Sequence, residues 1–85
     1  MTYQYKTKGV CARGITIELE GGVVRSVRFD GGCGGNTAGI ARLVEGMPAD
    51  EVIAKCKGIP CGFKTTSCPD QLAKALEEAM LDSRL

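Results

Sequence analysis

Residues 15–29, ITIELEGGVVRSVRF, read as a β-hairpin, and that reading decides the fold. Ile15, Ile17 and Leu19 fall on one face and Thr16, Glu18 and Glu20 on the other, the period-2 pattern of a strand with one buried side. Gly21-Gly22 supplies a two-residue turn, because a tight hairpin loop requires φ > 0 at both positions and glycine adopts it without a steric cost. The return strand carries Val23, Val27 and Phe29 on one face and Val24, Ser26 and Arg28 on the other. Arg25 interrupts the apolar side, so this strand lies at a sheet edge or the guanidinium reaches out to water. Upstream, Tyr3 and Tyr5 alternate with polar residues in TYQYKT, a short further strand.

After Gly35 the apolar period changes from 2 to 3.6. Asn36 or Thr37 caps a short predicted helix that runs to Leu43 or Val44, with Gly46 as its stop. Pro48 suits the first position of a second helix, with Asp50 and Glu51 in its first turn. Ala49, Val52, Ile53 and Cys56 make its apolar stripe, and Gly58 ends it. A last helix opens at Pro69 and carries Leu72, Ala75, Leu76 and Ala79 on one face. Strands followed by helices predict an α+β fold: a three-stranded antiparallel sheet with about three helices packed on one face.

The 85 residues form a single predicted domain, residues 1–85, with a core small enough that its stability margin is thin. Hydrophobic content of 44% and charge of 25% exclude a disordered chain. Eleven basic against ten acidic residues, with no run of like charge, give no nucleic-acid or anionic-membrane footprint. No apolar stretch approaches the roughly 20 residues of a membrane span. The polar N-terminus, MTYQYKTKG, lacks the apolar centre of a signal peptide. The expected location is cytoplasmic.

In a reducing compartment, five cysteines, an odd number, are not a disulfide framework. Metal binding or thiol redox chemistry becomes the leading question. The chain has no histidine, which removes the usual general base and the commonest nitrogen ligand. Cys56 falls on the apolar stripe of the second helix and reads as a small core hydrophobe. Cys33 and Cys68 each stand just before a helix. With Pro69 as first helical residue, Cys68 takes the cap position, where free amides and the helix dipole favour a thiolate. GGCGGNTAG, residues 31–39, surrounds Cys33 with backbone lacking Cβ atoms, which lets amides approach a thiolate. A glycine-rich bend with an incidental cysteine accounts for that stretch equally well. Cys11, in GVCARG, and Cys61, in GIPCGFKTTSC, lie in loops. Four of the five cysteines thus occupy loops or helix starts, enough thiolates for a tetrahedral zinc or iron site. Spacing adds little, because no C-x2-C pair occurs. The glycines match neither a dinucleotide fingerprint nor a phosphate loop, and a cysteine nucleophile would lack its histidine base.

TSCPD at Thr66–Asp70, with GGCGGN and GVCARGI, resembles the TSCPD domain family, and the resemblance runs from about Tyr3 to Glu78. Members occur as short four-cysteine proteins and as the C-terminal part of B12-dependent ribonucleotide reductases. The resemblance implies that Cys11, Cys33, Cys61 and Cys68 are the family's four cysteines, again omitting Cys56. It implies ribonucleotide reductase as a partner, although this chain lacks a reductase's catalytic barrel. CARGITIE, GGCGGN and SCPDQLAKAL are also similar, in order, to three segments of NifU/IscU-type iron–sulfur scaffold proteins. That likeness implies a NifU/SufE-like fold, with Cys11, Cys33 and Cys68 at the scaffold's cysteine positions. The scaffolds carry an aspartate where Arg13 stands and a histidine where Ser67 stands. Cys61 as a fourth ligand would turn a transfer site into a closed one.

The leading expectation is a metal-binding module in which Cys11, Cys33, Cys61 and Cys68 hold one Zn2+ or a small iron–sulfur cluster. Zinc with four thiolates contributes −2, taking the formal charge from +1 to −1, with Arg13 and Lys64 near in sequence to offset it. Two alternatives remain: dithiol–disulfide cycling by Cys61 and Cys68 or by Cys33 and Cys68, and an interaction accessory for ribonucleotide reductase. No acid–base pair suggests an enzyme acting alone.

Overall fold

A computed structural model of the chain describes residues 1–10, 12–31, 34–62 and 65–84. Three strands come first: β1 (Thr2–Lys6), β2 (Ala12–Glu20) and β3 (Val23–Gly31). Three helices follow: α1 (Gly34–Leu43), α2 (Ala49–Cys56) and α3 (Cys68–Arg84). The sheet is antiparallel in the order β1-β2-β3, the α+β arrangement expected from the sequence. Gly21 and Gly22 turn the central hairpin with φ of +60° and +78°. Both values lie in the left-handed region that the turn demands.

Ile15, Ile17 and Leu19 face the helices and are buried. Leu72, Ala75, Leu76 and Ala79 of α3 meet them from the other layer, each without accessible surface. Val52 of α2 and Val44 close the cluster, and Tyr3, Tyr5 and Phe29 pack at its margin. The helices therefore cover one face of the sheet, as expected. The opposite face carries Thr2, Gln4, Glu18, Ser26 and Arg28, all exposed.

Strict alternation along β3 fails, because Val24 and Val27 are both buried. Leu19 pairs with Val24 and Glu18 with Ser26, so Arg25 is an extra residue in a β-bulge. The bulge returns Val24 to the same side as Val27 and leaves Arg25 exposed, 3.5 Å from Glu20. Both readings of Arg25 thus hold, since β3 is an edge strand and the side chain is in water. A second irregularity separates Ala12 from Gly14, so Arg13 is the extra residue there and Ala12 turns inward.

The helix starts differ from expectation at three places. α1 begins at Gly34, so Asn36 and Thr37 lie inside it and not at its N-cap position. Nothing in Gly34-Gly35 obstructs helical φ and ψ, and the helix takes both in. Pro48 is the N-cap of α2 and not its first residue: its ψ of 136° is extended, and its carbonyl accepts from Val52 N at 3.2 Å. The cause is tertiary, since Pro48 bridges Val23 in strand fashion beside Val24 N donating to Met47 O at 2.9 Å. α3 includes Cys68, and Ser67 is its cap. Ser67 O accepts the first helical bond from Gln71 N at 2.8 Å, and Ser67 Oγ accepts from Asp70 N at 3.1 Å. A serine hydroxyl accepts an amide proton far better than a thiol does, so Cys68 moves to the first helical position.

Candidate functional site around the cysteines

Of the four expected ligands, Cys61 and Cys68 are described, while Cys11 and Cys33 lie outside the described residues, as does Lys64. Cys61 is exposed in the loop before α3, Cys68 is half-buried in the first turn of that helix, and both are free thiols. They line one cleft of about 510 Å³, whose other wall is the start of α1 (Gly35, Asn36, Gly39, Ile40). Cys56 is half-buried against the core, and burial pushes its thiol up from the ordinary range. A thiol held protonated in apolar surroundings fits the packing role expected of Cys56. Among the described residues, no three Cys, Asp or Glu side chains converge as a metal-ligand cluster.

A buried polar network organises the described part of the site. Gln71 and Asp70 follow Cys68-Pro69 in sequence and are each only 3% exposed. Gln71 Oε1 accepts from the backbone amide of Lys8 at 3.1 Å, tying the β1–β2 loop to α3. Gln71 Nε2 donates to Thr66 Oγ1 at 2.9 Å, and the Thr66 hydroxyl donates in turn to Asp70 Oδ2. The other Asp70 oxygen accepts from Gly58 N at 2.6 Å, fastening the far end of the loop that carries Cys61. Lys74 Nζ stands 3.6 Å from Asp70 Oδ2. The Thr66 hydroxyl, with the Gly58 amide and Lys74 ammonium in support, holds the Asp70 carboxyl below its ordinary range against the opposing effect of burial. One face of one helical turn therefore secures two separate loops. Polarised chains of this kind are rigid when every member is satisfied, and no buried side-chain N or O among the described residues lacks a partner.

The β1–β2 loop is drawn in by other contacts as well. Thr7 Oγ1 donates to Ala12 O. Gly9, at φ +72°, lies so close to Thr66 that an added Cβ would stand 3.4 Å from the threonine methyl. Across the sheet, Ala12 pairs with Gly31. The sequence reading missed Asp70, Gln71 and Thr66 as site-forming residues. The available signal was S-x-x-D in SCPD, the spacing at which a helix cap and its third residue interact.

The family model of the TSCPD domain matches residues 1–80 of the chain. The chain belongs to the TSCPD domain family. No curated protein and no solved structure matches it, and the likeness to iron–sulfur scaffolds is not shown. The motif that names the TSCPD domain has a structural reading here. Thr66 and Asp70 are hydrogen-bonded to each other, Ser67 caps the helix, Cys68 faces the cleft, and Pro69 is tolerated because first-turn amides have no helical acceptor. No helix among the described residues is long and apolar enough to cross a membrane.

Proposed function

We propose that this TSCPD domain is a cytoplasmic cysteine-ligated metal-binding module in which Cys11, Cys33, Cys61 and Cys68 hold one Zn2+. The observation that supports the reading is the set of contacts among described residues that flank the four cysteines. Cys61 and Cys68 share a cleft with the first turn of α1, which follows Cys33 in sequence. Lys8 and Gly9, just before Cys11, are held against Gln71 and Thr66 beside Cys68. Ala12 and Gly31, next to Cys11 and two residues before Cys33, are paired.

The donor chemistry fits the metal. Thiolates are soft ligands that suit zinc or an iron–sulfur cluster, and four of them complete a closed tetrahedral site. Zinc, when bound, supplies a redox-inert cross-link between loops, worth on the order of 10 kcal/mol in small domains. Asp70 and Gln71 orient the loops that carry the ligands, in the manner of outer-shell partners. The partner, on the strength of the family resemblance, is ribonucleotide reductase.

The test is elemental analysis with a visible spectrum on untagged protein purified without oxygen. About one zinc per chain and a featureless spectrum agree with the proposal. Iron with sulfide and visible absorption would replace zinc with a cluster. Absence of any metal sinks the reading and favours the second one, thiol–disulfide cycling by Cys61 and Cys68. That alternative draws on one observation, the two free thiols lining a single cleft. Co-purification with a ribonucleotide reductase tests the partner.

A further inference from the structure

We propose that the groove between the open edge of β3 and α1 binds an extended acidic peptide by strand addition. Met1 N donates to Leu19 O and Leu19 N to Met1 O, both at 2.9 Å, so the backbone groups of Leu19 point toward β1. Direction alternates along a strand, so Ile17 and Ile15 also bond toward β1, while Glu18, Thr16 and Gly14 bond toward β3. Their partners on β3 are Ser26, Arg28 and Asp30. The N–H and C=O groups of Val27 and Phe29, the intervening residues, therefore point away from the sheet.

The same edge shows what those groups accept. At Val24, before the bulge, the molecule covers its own edge: Val24 N donates to Met47 O at 2.9 Å and Val24 O accepts from Gly46 N at 2.8 Å. That cover stops at the bulge. Val27 and Phe29 have no corresponding backbone partner among the described residues. They open instead on a groove of about 520 Å³, walled opposite by Ala38, Ala41 and Arg42 of α1. An exposed strand edge bordered by a groove is the setting in which a peptide adds as a further strand, with main-chain bonds for affinity and alternate side chains for specificity.

Charge selects the occupant. Arg28 and Arg42 line the groove against one carboxylate, Glu45. Arg42 has no carboxylate within 4.0 Å among the described residues, and the Arg28 side chain, 78% exposed, meets only Asp30, at 3.9 Å. Arg42 on the α1 wall, and Arg28 on the exposed face beside the same edge with its one carboxylate no nearer than 3.9 Å, fit acidic side chains on either face of the incoming strand. This inference is independent of the metal site.

The test uses a fluorescein-labelled Val-Glu alternating octapeptide in an anisotropy titration, beside a Val-Lys octapeptide, with amide exchange on the unmodified protein. The expected result is saturable binding of the Val-Glu peptide and slower exchange at Val27 and Phe29. Arg42→Glu, on an exposed helix position, should weaken binding about tenfold at low salt. No saturable binding, equal binding of the Val-Lys peptide, or an edge already protected by a second copy in sedimentation would each overturn the proposal.

Discussion

The amide of Gly58 donates to Asp70 Oδ1 at 2.6 Å, joining the residue after α2 to the first turn of α3. The ten-odd residues between them include Cys61, so this bond fixes one end of the loop that presents a free thiol to the cleft. The second Asp70 oxygen takes the Thr66 hydroxyl from the other end of the same loop. Asp70→Ala leaves a part-buried amide and a hydroxyl without their acceptor, and should cost about 2–3 kcal/mol. Chemical denaturation should show a lowered midpoint with an unchanged slope. A loss below about 0.5 kcal/mol would show that water replaces the carboxylate at no cost.

Asp70 also sets the acid limb of stability. Its folded carboxyl lies below the ordinary range, while the unfolded one titrates near 3.9, so the unfolded chain takes up the proton first as pH falls. The Asp70 contribution is therefore complete above the unfolded value and is lost as pH drops through the folded one. Melting temperature followed from pH 6 down to pH 2 should fall, and Asp70→Asn should flatten part of that fall. An acid limb of equal steepness in the Asn variant would assign it to other carboxylates.

Cysteine substitutions separate the proposed ligands from the packing residue. Cys56→Ala trims a half-buried side chain at the core margin and should cost about 1 kcal/mol with metal content unchanged. Cys61→Ser and Cys68→Ser should each lower zinc retention, although Cys61 is exposed and contributes nothing to the core. Metal analysis of the three purified variants reads the difference. Equal loss in all three, or in Cys56→Ala alone, would contradict the proposed set.

Chelation offers a bulk test of the same site. A cross-link worth on the order of 10 kcal/mol is comparable with the whole stability of a small domain, so a stripped protein should loosen or unfold. The loops about Cys61 and Cys68 should loosen, and the melting temperature should drop. Circular dichroism with and without chelator follows both. An unchanged melting temperature in a zinc-free sample would exclude a structural role.

Leu76→Ala probes the core that carries all of this. Leu76 has no accessible surface and belongs to the core cluster, so the cavity it leaves should cost about 2–5 kcal/mol. A much smaller loss would mean that α3 shifts to fill the space, which the loops held by Asp70 and Gln71 should resist.

Much of this architecture was legible in the chain because it rests on short-range regularities. Period-2 alternation around Gly21-Gly22 specified the hairpin, and the stripe Leu72, Ala75, Leu76, Ala79 specified α3. The place of Cys56, half-buried against the core, followed from the same helical spacing. What alternation could not reveal was the bulge at Arg25, which puts Val24 and Val27 on one side. A bulge is a relation between two strands and has no signature in one of them. The extended Pro48 likewise depends on Val23, a residue distant in sequence. The sharpest case is the TSCPD motif itself. Local rules put Cys68 at the helix cap, but the Ser67 hydroxyl is the better acceptor and takes that place. Asp70 and Gln71, read locally, are two polar residues at a helix start. Only the folding of the β1–β2 loop and the Gly58 turn against α3 gives their buried oxygens donors to accept from, because desolvation makes each such bond obligatory once the layers close.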